Sequence, residues 1–92
     1  MKSYTIKQYS YNQAKKLNVS IYPSKKPNKK IDVYKDGIYV TSIGYKGMLD
    51  YPSYLQTEGK KYADERRRLY HLRHSKDNVH GTTGWYALKI LW

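Results

Sequence analysis

The stretch Lys30-Ile31-Asp32-Val33-Tyr34-Lys35-Asp36-Gly37-Ile38-Tyr39-Val40-Thr41-Ser42-Ile43 decides the fold of this 92-residue chain. It consists of two runs rich in β-branched and aromatic residues, separated by an Asp-Gly pair. This is a strong local signature of a β-hairpin with a two-residue turn. The sequence therefore predicts antiparallel strands over about residues 30–35 and 38–43.

Upstream of the hairpin, the sequence predicts one short helix and one strand. Ser10 and Gln13 have the spacing of a capping box, so the helix is expected over about residues 11–17. Asn18 tolerates a left-handed backbone and can end the helix. The alternating residues 19–22 then predict a strand, followed by a lysine-rich loop.

Downstream of the hairpin, the sequence predicts three helices. Asp50 is positioned to cap a short helix that has a proline in its first turn. A long arginine-rich helix is expected over about residues 59–75. After a break, Thr82 or Thr83 can cap a short aromatic helix over about residues 84–90.

Together these elements predict an α+β fold in a single domain, residues 1–92. A small antiparallel sheet is packed by the arginine-rich helix and pinned by the short aromatic C-terminal helix. Trp85, Leu88 and Trp92 share one helical face, so we expect this end to dock into the domain's own core. A homodimer interface is the alternative.

The charge of the chain favours a polyanionic partner. The formal net charge is +11, and residues 1–31 carry eight lysines and no acidic residue. Residues 59–76 form a second basic block. A charge above about 8 exceeds what solubility asks of a small domain, so nucleic acid is the first candidate partner. The alternative is a lysine-rich surface produced by codon bias.

All four arginines lie within residues 66–73, although lysine is the cation elsewhere. Arginine in one place suggests a need for its planar fork, which grips phosphate or carboxylate. Helical periodicity predicts one buried stripe, formed by Tyr62, Ala63, Leu69, Tyr70 and Leu72. Arg66 and Arg73 lie within that stripe, so we expect structural roles, with their heads paired to an acid such as Asp50.

The outward face of the same helix supplies the second half of a predicted nucleic-acid site. The predicted contacts are Lys25, Lys26, Lys29, Lys30, Lys60, Lys61, Arg67, Arg68, His71 and His74. The predicted structural residues are Arg66, Arg73, Asp50, Trp85 and Trp92. Most of the twelve tyrosines are expected in the core or half-buried, and Tyr9, Tyr11, Tyr22 and Tyr45 are the candidate surface contacts.

Nothing in the sequence indicates an enzyme. It contains no nucleophile elbow, Walker loop or paired-carboxylate motif, and its seven acidic residues are scattered. His71, His74, Asp77 and His80 are a weak metal pattern among many cations, so no catalytic residue, metal or cofactor is predicted. Without an apolar leader or a run of ~20 apolar residues, no secretion and no membrane partner are expected.

The second half of the chain resembles a known family. The motifs are Ser42-Ile43-Gly44-Tyr45-Lys46-Gly47, Asp50-Tyr51-Pro52, Tyr62-Ala63-Asp64-Glu65-Arg66-Arg67-Arg68-Leu69-Tyr70, Arg73-His74, Thr83-Gly84-Trp85-Tyr86-Ala87 and Ile90-Leu91-Trp92. Over about residues 30–92 this order is similar to small basic uncharacterised proteins of nucleocytoplasmic large DNA viruses, the giant viruses. The resemblance implies a viral setting, in the virion or in the cytoplasm or nucleus of the infected host cell.

The leading functional hypothesis is a non-enzymatic, sequence-tolerant nucleic-acid-binding protein, used for example in genome packaging. Duplex DNA is the favoured ligand, and the choice between DNA and RNA stays open. One alternative is a viral structural or interaction module that docks on an acidic viral protein. A weaker alternative is a metal-dependent nuclease or its relic.

Overall fold

The computed structural model describes residues 4–92, which form a three-stranded antiparallel sheet and four α-helices. In chain order the elements are α1 (Gln8–Lys16), β1 (Ser20–Pro23), β2 (Lys29–Lys35), β3 (Ile38–Tyr45), α2 (Tyr51–Glu58), α3 (Lys60–Arg73), a 3₁₀ turn (Ser75–Asp77) and α4 (Thr83–Ile90). The α+β fold class is therefore confirmed. In the described part of the chain, no helix is long and apolar enough to cross a membrane.

The hairpin forms as predicted. It provides two of the three strands of the sheet, with β2 in the centre. Asp36 and Gly37 have φ values of 52° and 78°, which are the left-handed conformations that a type I′ turn requires. Lys35 therefore pairs with Ile38, and the ladder continues to the pair of Lys29 and Tyr45. β1 pairs with the other edge of β2, so the strand order is β1-β2-β3.

The core lies on one face of the sheet, under α1 and α4. Ile21, Ile31, Val33 and Ile43 point to this face because residues two apart along a strand share a side. The core residues of the two helices and of the segment before α1 are Ile6, Ala14, Trp85, Tyr86, Ile90 and Leu91. The arginine-rich helix α3 contributes no residue to this cluster and packs on α2 instead. The prediction that this helix packs the sheet was wrong.

The predicted capping box in α1 does not form. The helix begins at Gln8, one turn earlier than expected, so Ser10 is a buried interior residue. Its hydroxyl donates to the carbonyl of Ile90 at 3.0 Å, and the Gln13 side-chain amide donates to the carbonyl of Lys89 at 3.0 Å. Both side chains therefore satisfy backbone carbonyls in the last turn of α4, which have no partner within the helix. Asn18 ends the α1 segment with a φ of 57°, as predicted.

The two predicted caps downstream are confirmed. The Asp50 carboxylate accepts the backbone N–H of Ser53 at 3.0 Å, at the start of α2. The Thr82 hydroxyl accepts the backbone N–H of Trp85 at 3.2 Å, at the start of α4. Each of these side chains satisfies a donor that the first helical turn leaves free.

The aromatic end docks on its own domain, as predicted. Trp85 is 9% exposed and Leu91 only 2%, and both belong to the core. Trp92 lies outside the fully buried set, and its ring stacks on Tyr70 of α3 with centroids 4.2 Å apart and planes 8° apart. The chain end therefore joins the core to the arginine-rich helix.

Replacing Gly44 by alanine is expected to destabilise the protein, whereas the same change at Gly47 is not. Gly44 has a φ of 77°, and an added Cβ would lie 2.8 Å from Leu91 Cδ1. Gly47 has neither the positive φ nor any atom within 4 Å of the added methyl group. Denaturant unfolding should show a loss of about 1–3 kcal/mol for Gly44→Ala. Equal stabilities of the two variants would contradict this packing.

Candidate nucleic-acid interface

A buried ion pair joins the sheet to α2. Lys30 Nζ lies 2.8 Å from Asp50 Oδ2, and the two side chains are 3% and 1% exposed. Lys30 also donates to the Met48 carbonyl, and the Tyr4 phenol donates to Asp50 Oδ2 at 2.7 Å. Lys30 was predicted to contact nucleic acid, which was wrong because its ammonium group is enclosed. Asp50 is structural, as predicted. Its charged partner is Lys30, whereas Arg66 or Arg73 was expected.

The environment of Asp50 favours its charged form. Burial alone would raise the pKa of this carboxyl, because it removes water from the charge. The hydrogen bond and charge of Lys30 outweigh burial, with further bonds from Ser53 and Tyr4, so the pKa is lowered from its ordinary value. The carboxylate is therefore ionised and fully used within the fold at neutral pH.

The predicted outward arginines of α3 are engaged by their own helix. The Arg67 guanidinium lies over the Tyr51 ring at 4.1 Å and 3.6 Å from Asp64 Oδ1, so this arginine packs against α2. Arg68 is exposed but forms a two-bond pair with Glu65 at 2.5 and 3.1 Å. Lys60 is also exposed and pairs with Asp64 at 2.6 Å. Exposed Lys61 forms no ion pair with any residue in the range 4–92.

The predicted buried stripe of α3 was wrong for Tyr62 and Leu72, whereas Ala63 is buried and Leu69 and Tyr70 are half-buried as predicted. Leu72 is 67% exposed and Tyr62 is 49% exposed, whereas Ala63 is fully buried. The inward face of the helix is formed by four residues at spacings of three or four, namely Ala63, Arg66, Tyr70 and His74. The error arose because apolarity was used to find the inner face. This helix docks through rings and cations rather than through aliphatic side chains.

The two arginines assigned structural roles differ from each other. Arg66 is half-buried and lies 5.6 Å from the Tyr54 ring centroid, so its packing role is confirmed. Arg73 is exposed, and within residues 4–92 neither arginine has an acidic partner. The expected pairing of these heads with an acid was wrong.

The histidines are also used locally. The His74 ring stacks on Tyr70 at 4.1 Å, and its Nδ1 lies 2.9 Å from Asp77 Oδ2. His71 Nε2 lies 3.2 Å from the backbone oxygen of Trp92, and His80 packs on Trp85. Within the part of the chain that the structure describes, no three His, Cys, Asp or Glu residues form a group that could hold a metal ion. His74 is thus bonded to a carboxylate of the protein itself, whereas it was predicted to contact nucleic acid.

A cleft brings residues of the two basic blocks together. It has a volume of about 520 Å³ and lies between the end of the β2–β3 hairpin, α3 and α4. Lys29 enters from the first block, and Arg66 and Arg73 enter from the second. We call this space the Arg66 cleft. Exposed Met48 and Leu49 complete its wall.

The opposite face of the sheet carries a second basic surface. Tyr22, Tyr34 and Tyr39 form an edge-to-face cluster across the three strands, with centroids 5.5 and 5.7 Å apart. Tyr22 is 53% exposed and Tyr39 is 41% exposed. Lys25 and Lys26 are exposed in the loop beside them. We call these five residues the tyrosine face.

A buried polar network fixes the lysine loop on this face. Asp32, in the central strand, accepts hydrogen bonds from the hydroxyls of Ser24 and Ser42, each at 2.6 Å, and from the backbone N–H of Lys25 at 3.3 Å. Burial alone would raise the pKa of Asp32, but these bonds outweigh it and lower the pKa. Lys26 Nζ donates to the Tyr39 hydroxyl at 2.9 Å. Lys26 is therefore held beside the Tyr39 ring, and the backbone is fixed at Lys25.

Sequence reasoning identified only part of this surface. Tyr22 was a predicted contact and is exposed, and so are Tyr11 and Tyr45, whereas Tyr9 packs on Tyr51. Tyr34 and Tyr39 were missed as members of a cluster. The signal was available, because an acidic residue inside the apolar run Ile31-Asp32-Val33 marks the polar side of the central strand. Comparison with protein-family models, curated proteins and solved structures finds no match to this chain.

The Lys30–Asp50 pair is expected to dominate the stability of the link between the sheet and α2. Removing one partner leaves a buried charge, so Lys30→Met or Asp50→Asn alone should cost about 3–5 kcal/mol in denaturant unfolding. The double variant removes both charges and should lose much less than the sum. Additive losses would show that the two side chains do not interact.

The same pair predicts the acid sensitivity of the protein. The folded pKa of Asp50 is lowered, so its contribution is present above the unfolded pKa of about 3.9 and is lost as pH falls below it. Thermal midpoints should therefore begin to decrease below about pH 5 and should fall further as pH approaches the lowered pKa of the folded state. The Lys30→Met/Asp50→Asn double variant should show a shallower decrease in thermal midpoint. In that variant Asp32 is the one buried carboxylate with a lowered pKa that remains among residues 4–92. Parallel curves would contradict the assignment.

Proposed function

We propose that this protein binds nucleic acid without sequence specificity, through the tyrosine face and the lysines around it. The observation that carries the proposal is the surplus of cations that have no acidic partner within residues 4–92. Of the seventeen lysines and arginines in residues 4–92, only Lys30, Lys60, Arg67 and Arg68 lie within ion-pair distance of an acidic side chain. The other thirteen cations are left to water or to a polyanion, which they would bind by releasing its counterions.

The position of the exposed rings supports single strands as the preferred form. Exposed tyrosines beside lysines combine base stacking with phosphate neutralisation, and both are independent of sequence. Tyr22 and Tyr39 are the most exposed rings of the cluster. A duplex keeps its bases stacked on one another, so it offers only phosphates to such a surface. This proposal replaces the duplex preference drawn from charge alone.

The setting in a giant virus, implied by the resemblance, stays a prediction. Within it, a sequence-tolerant binder of single strands would serve packaging or replication of the viral genome. The alternative is an interaction module that docks on an acidic viral protein through the same cations. Such a module would not depend on contacts with nucleic-acid bases.

Salt dependence tests the electrostatic mechanism. With about 6 phosphates neutralised, log K should fall with log salt at a slope near −4 for single strands and near −5 for duplex DNA. Fluorescence anisotropy with a labelled single strand, the matched duplex and heparin at several salt concentrations measures this. The single strand should bind more tightly than the duplex at equal salt. Flat salt dependence would reject the proposal and favour the protein-docking alternative.

Two matched variants test the surface. Lys25→Gln/Lys26→Gln removes two charges from the tyrosine face, and Lys15→Gln/Lys16→Gln removes two from the last turn of α1. The first variant should make the salt slope for single strands shallower by about 1.4, because each lost phosphate contact contributes about 0.7. The second should leave the slope unchanged. Equal effects would mean that net charge alone attracts the polyanion.

The tyrosine contribution is separated by Tyr22→Ser, which keeps every charge. Stacking is worth about 1–3 kcal/mol per base, so single-strand affinity should fall about tenfold. The salt slope and the affinity for heparin should not change. Equal losses for the single strand and heparin would show that the ring has no stacking role.

A further inference from the structure

Arg66 is a half-buried arginine whose donors have no acceptor. Its side chain offers five N–H groups, and within residues 4–92 none of them forms a hydrogen bond or an ion pair. Its Nε atom is buried without a partner. Leaving a buried donor unsatisfied is costly, and more so for a charged group. The guanidinium group at the wall of the Arg66 cleft therefore has no acceptor among residues 4–92.

The charges around the cleft favour an anion as its ligand. Four cations line the cleft, namely Lys29, Lys30, Arg66 and Arg73, against the two carboxylates Asp50 and Asp77. Asp50 forms an ion pair with Lys30, and Asp77 Oδ2 lies 2.9 Å from His74 Nδ1. Arg66 and Arg73 line the cleft, and neither forms an ion pair with an acidic residue in the range 4–92. Phosphate suits this site, since arginine forms bidentate, charge-assisted bonds with it.

The dimensions of the cleft indicate a small ligand. Its volume of about 520 Å³ lies within the range of roughly 300–1,000 Å³ that is typical of small-molecule sites. Arg66 and Arg73 are seven residues apart on α3, which separates their backbones by about 10 Å along the helix axis. The cleft thus has room for a phosphate at Arg66 and for attached atoms extending toward its mouth.

The walls of the cleft favour an apolar group beside the phosphate. Exposed Tyr45, Met48 and Leu49 form one side. Tyr70 forms another, but Trp92 and His74 cover both faces of its ring, at 4.2 and 4.1 Å. Stacking on Tyr70 is therefore blocked, and contact with a sugar or base would use the Met48 and Leu49 side.

We propose that the Arg66 cleft binds a phosphate monoester, supplied either by a free nucleotide or by the phosphorylated end of a nucleic-acid strand. Only the second source rests on the proposed function. A monoester carries about −1.5 to −2 charges at pH 7, which matches two unpaired arginines better than the single charge of an internal phosphodiester.

The direct test uses the Arg66 side chain as the probe. Its Nε–H resonance is followed by NMR during titration with inorganic phosphate, adenosine monophosphate and adenosine. Both phosphate probes should shift this resonance saturably, and the monophosphate should bind more tightly than inorganic phosphate because it also contacts the apolar wall. Adenosine should have no effect. A resonance that no phosphate probe shifts would overturn the proposal.

Matched variants separate the contribution of the bidentate guanidinium geometry from that of its positive charge. Arg66→Gln should weaken adenosine monophosphate binding about 10- to 100-fold, since bonds to a charged acceptor are lost. Arg66→Lys keeps the charge and should recover only part of the affinity, because a lysine cannot bind bidentately. Lys16→Gln, on α1, loses the same charge and should bind as the wild type does. Thermal midpoints confirm folding of each variant, and equal binding by Arg66→Gln and the wild type would overturn the site.

The source of the phosphate is decided with a short oligonucleotide that carries either a 5′-phosphate or a 5′-hydroxyl. A preference for the phosphorylated strand that disappears in Arg66→Gln assigns the cleft to strand ends. Binding of adenosine monophosphate without this preference assigns the cleft to free nucleotides. The cleft proposal then stands even if the oligonucleotide fails to bind. If both strands bind equally and Arg66 does not respond, the cleft proposal fails while the proposed function stands.

Discussion

The buried ion pair between Lys30 and Asp50 is the constraint on which the two halves of the molecule depend. Lys30 belongs to the central strand, and Asp50 is both its counter-charge and the N-cap of α2. Two charges taken out of water must be paired and hydrogen-bonded, or the fold loses several kcal/mol. Tyr4, Ser53 and the Met48 carbonyl complete the bonding. The pair therefore fixes where α2, and with it α3, leaves the sheet.

Beyond this link, rings and cations take the place of an aliphatic core. The helix α3 has one fully buried side chain, Ala63, and is otherwise held by Arg67 over Tyr51 and by the stack of Trp92, Tyr70 and His74. Cation–π and stacking contacts of this kind contribute roughly 0.5–1.5 kcal/mol each. The arginine-rich segment is thus largely part of the architecture. Within the helix, Lys60, Arg67 and Arg68 are paired with Asp64 or Glu65, whereas Lys61, Arg66 and Arg73 have no acidic partner among residues 4–92, so α3 keeps a net positive charge.

The two proposed surfaces follow from two different uses of polar groups in the same sheet. On the tyrosine face, Asp32 is satisfied by the protein itself, and the result is a rigid loop that presents Lys25 and Lys26. In the Arg66 cleft, the arginine has no acceptor among residues 4–92, and this is the basis of the proposed phosphate site. A satisfied network positions side chains, whereas an unsatisfied donor invites an anion. The sites proposed for long polyanions and for small phosphate esters therefore depend on different residues.

The sequence by itself determined the features that depend on neighbouring residues. The Asp36-Gly37 turn, the left-handed Asn18, and the caps Asp50 and Thr82 are all set by backbone preferences and hydrogen bonds within a few residues. Such preferences act before any long-range contact forms, so they can be derived from the sequence. The α+β class follows from the same local elements.

The tertiary structure alone decided which polar side chains are buried and what they bond. Ser10 and Gln13 have the spacing of a local cap, but they donate to carbonyls at the end of α4, more than seventy residues away. Lys30 lies in a basic run yet is enclosed by Asp50, and Arg66 lies in an apolar stripe yet faces a cleft. Charge and periodicity describe a residue and its neighbours, whereas desolvation depends on every element packed around it. The partners that make a lysine structural and an arginine available exist only once the chain has folded.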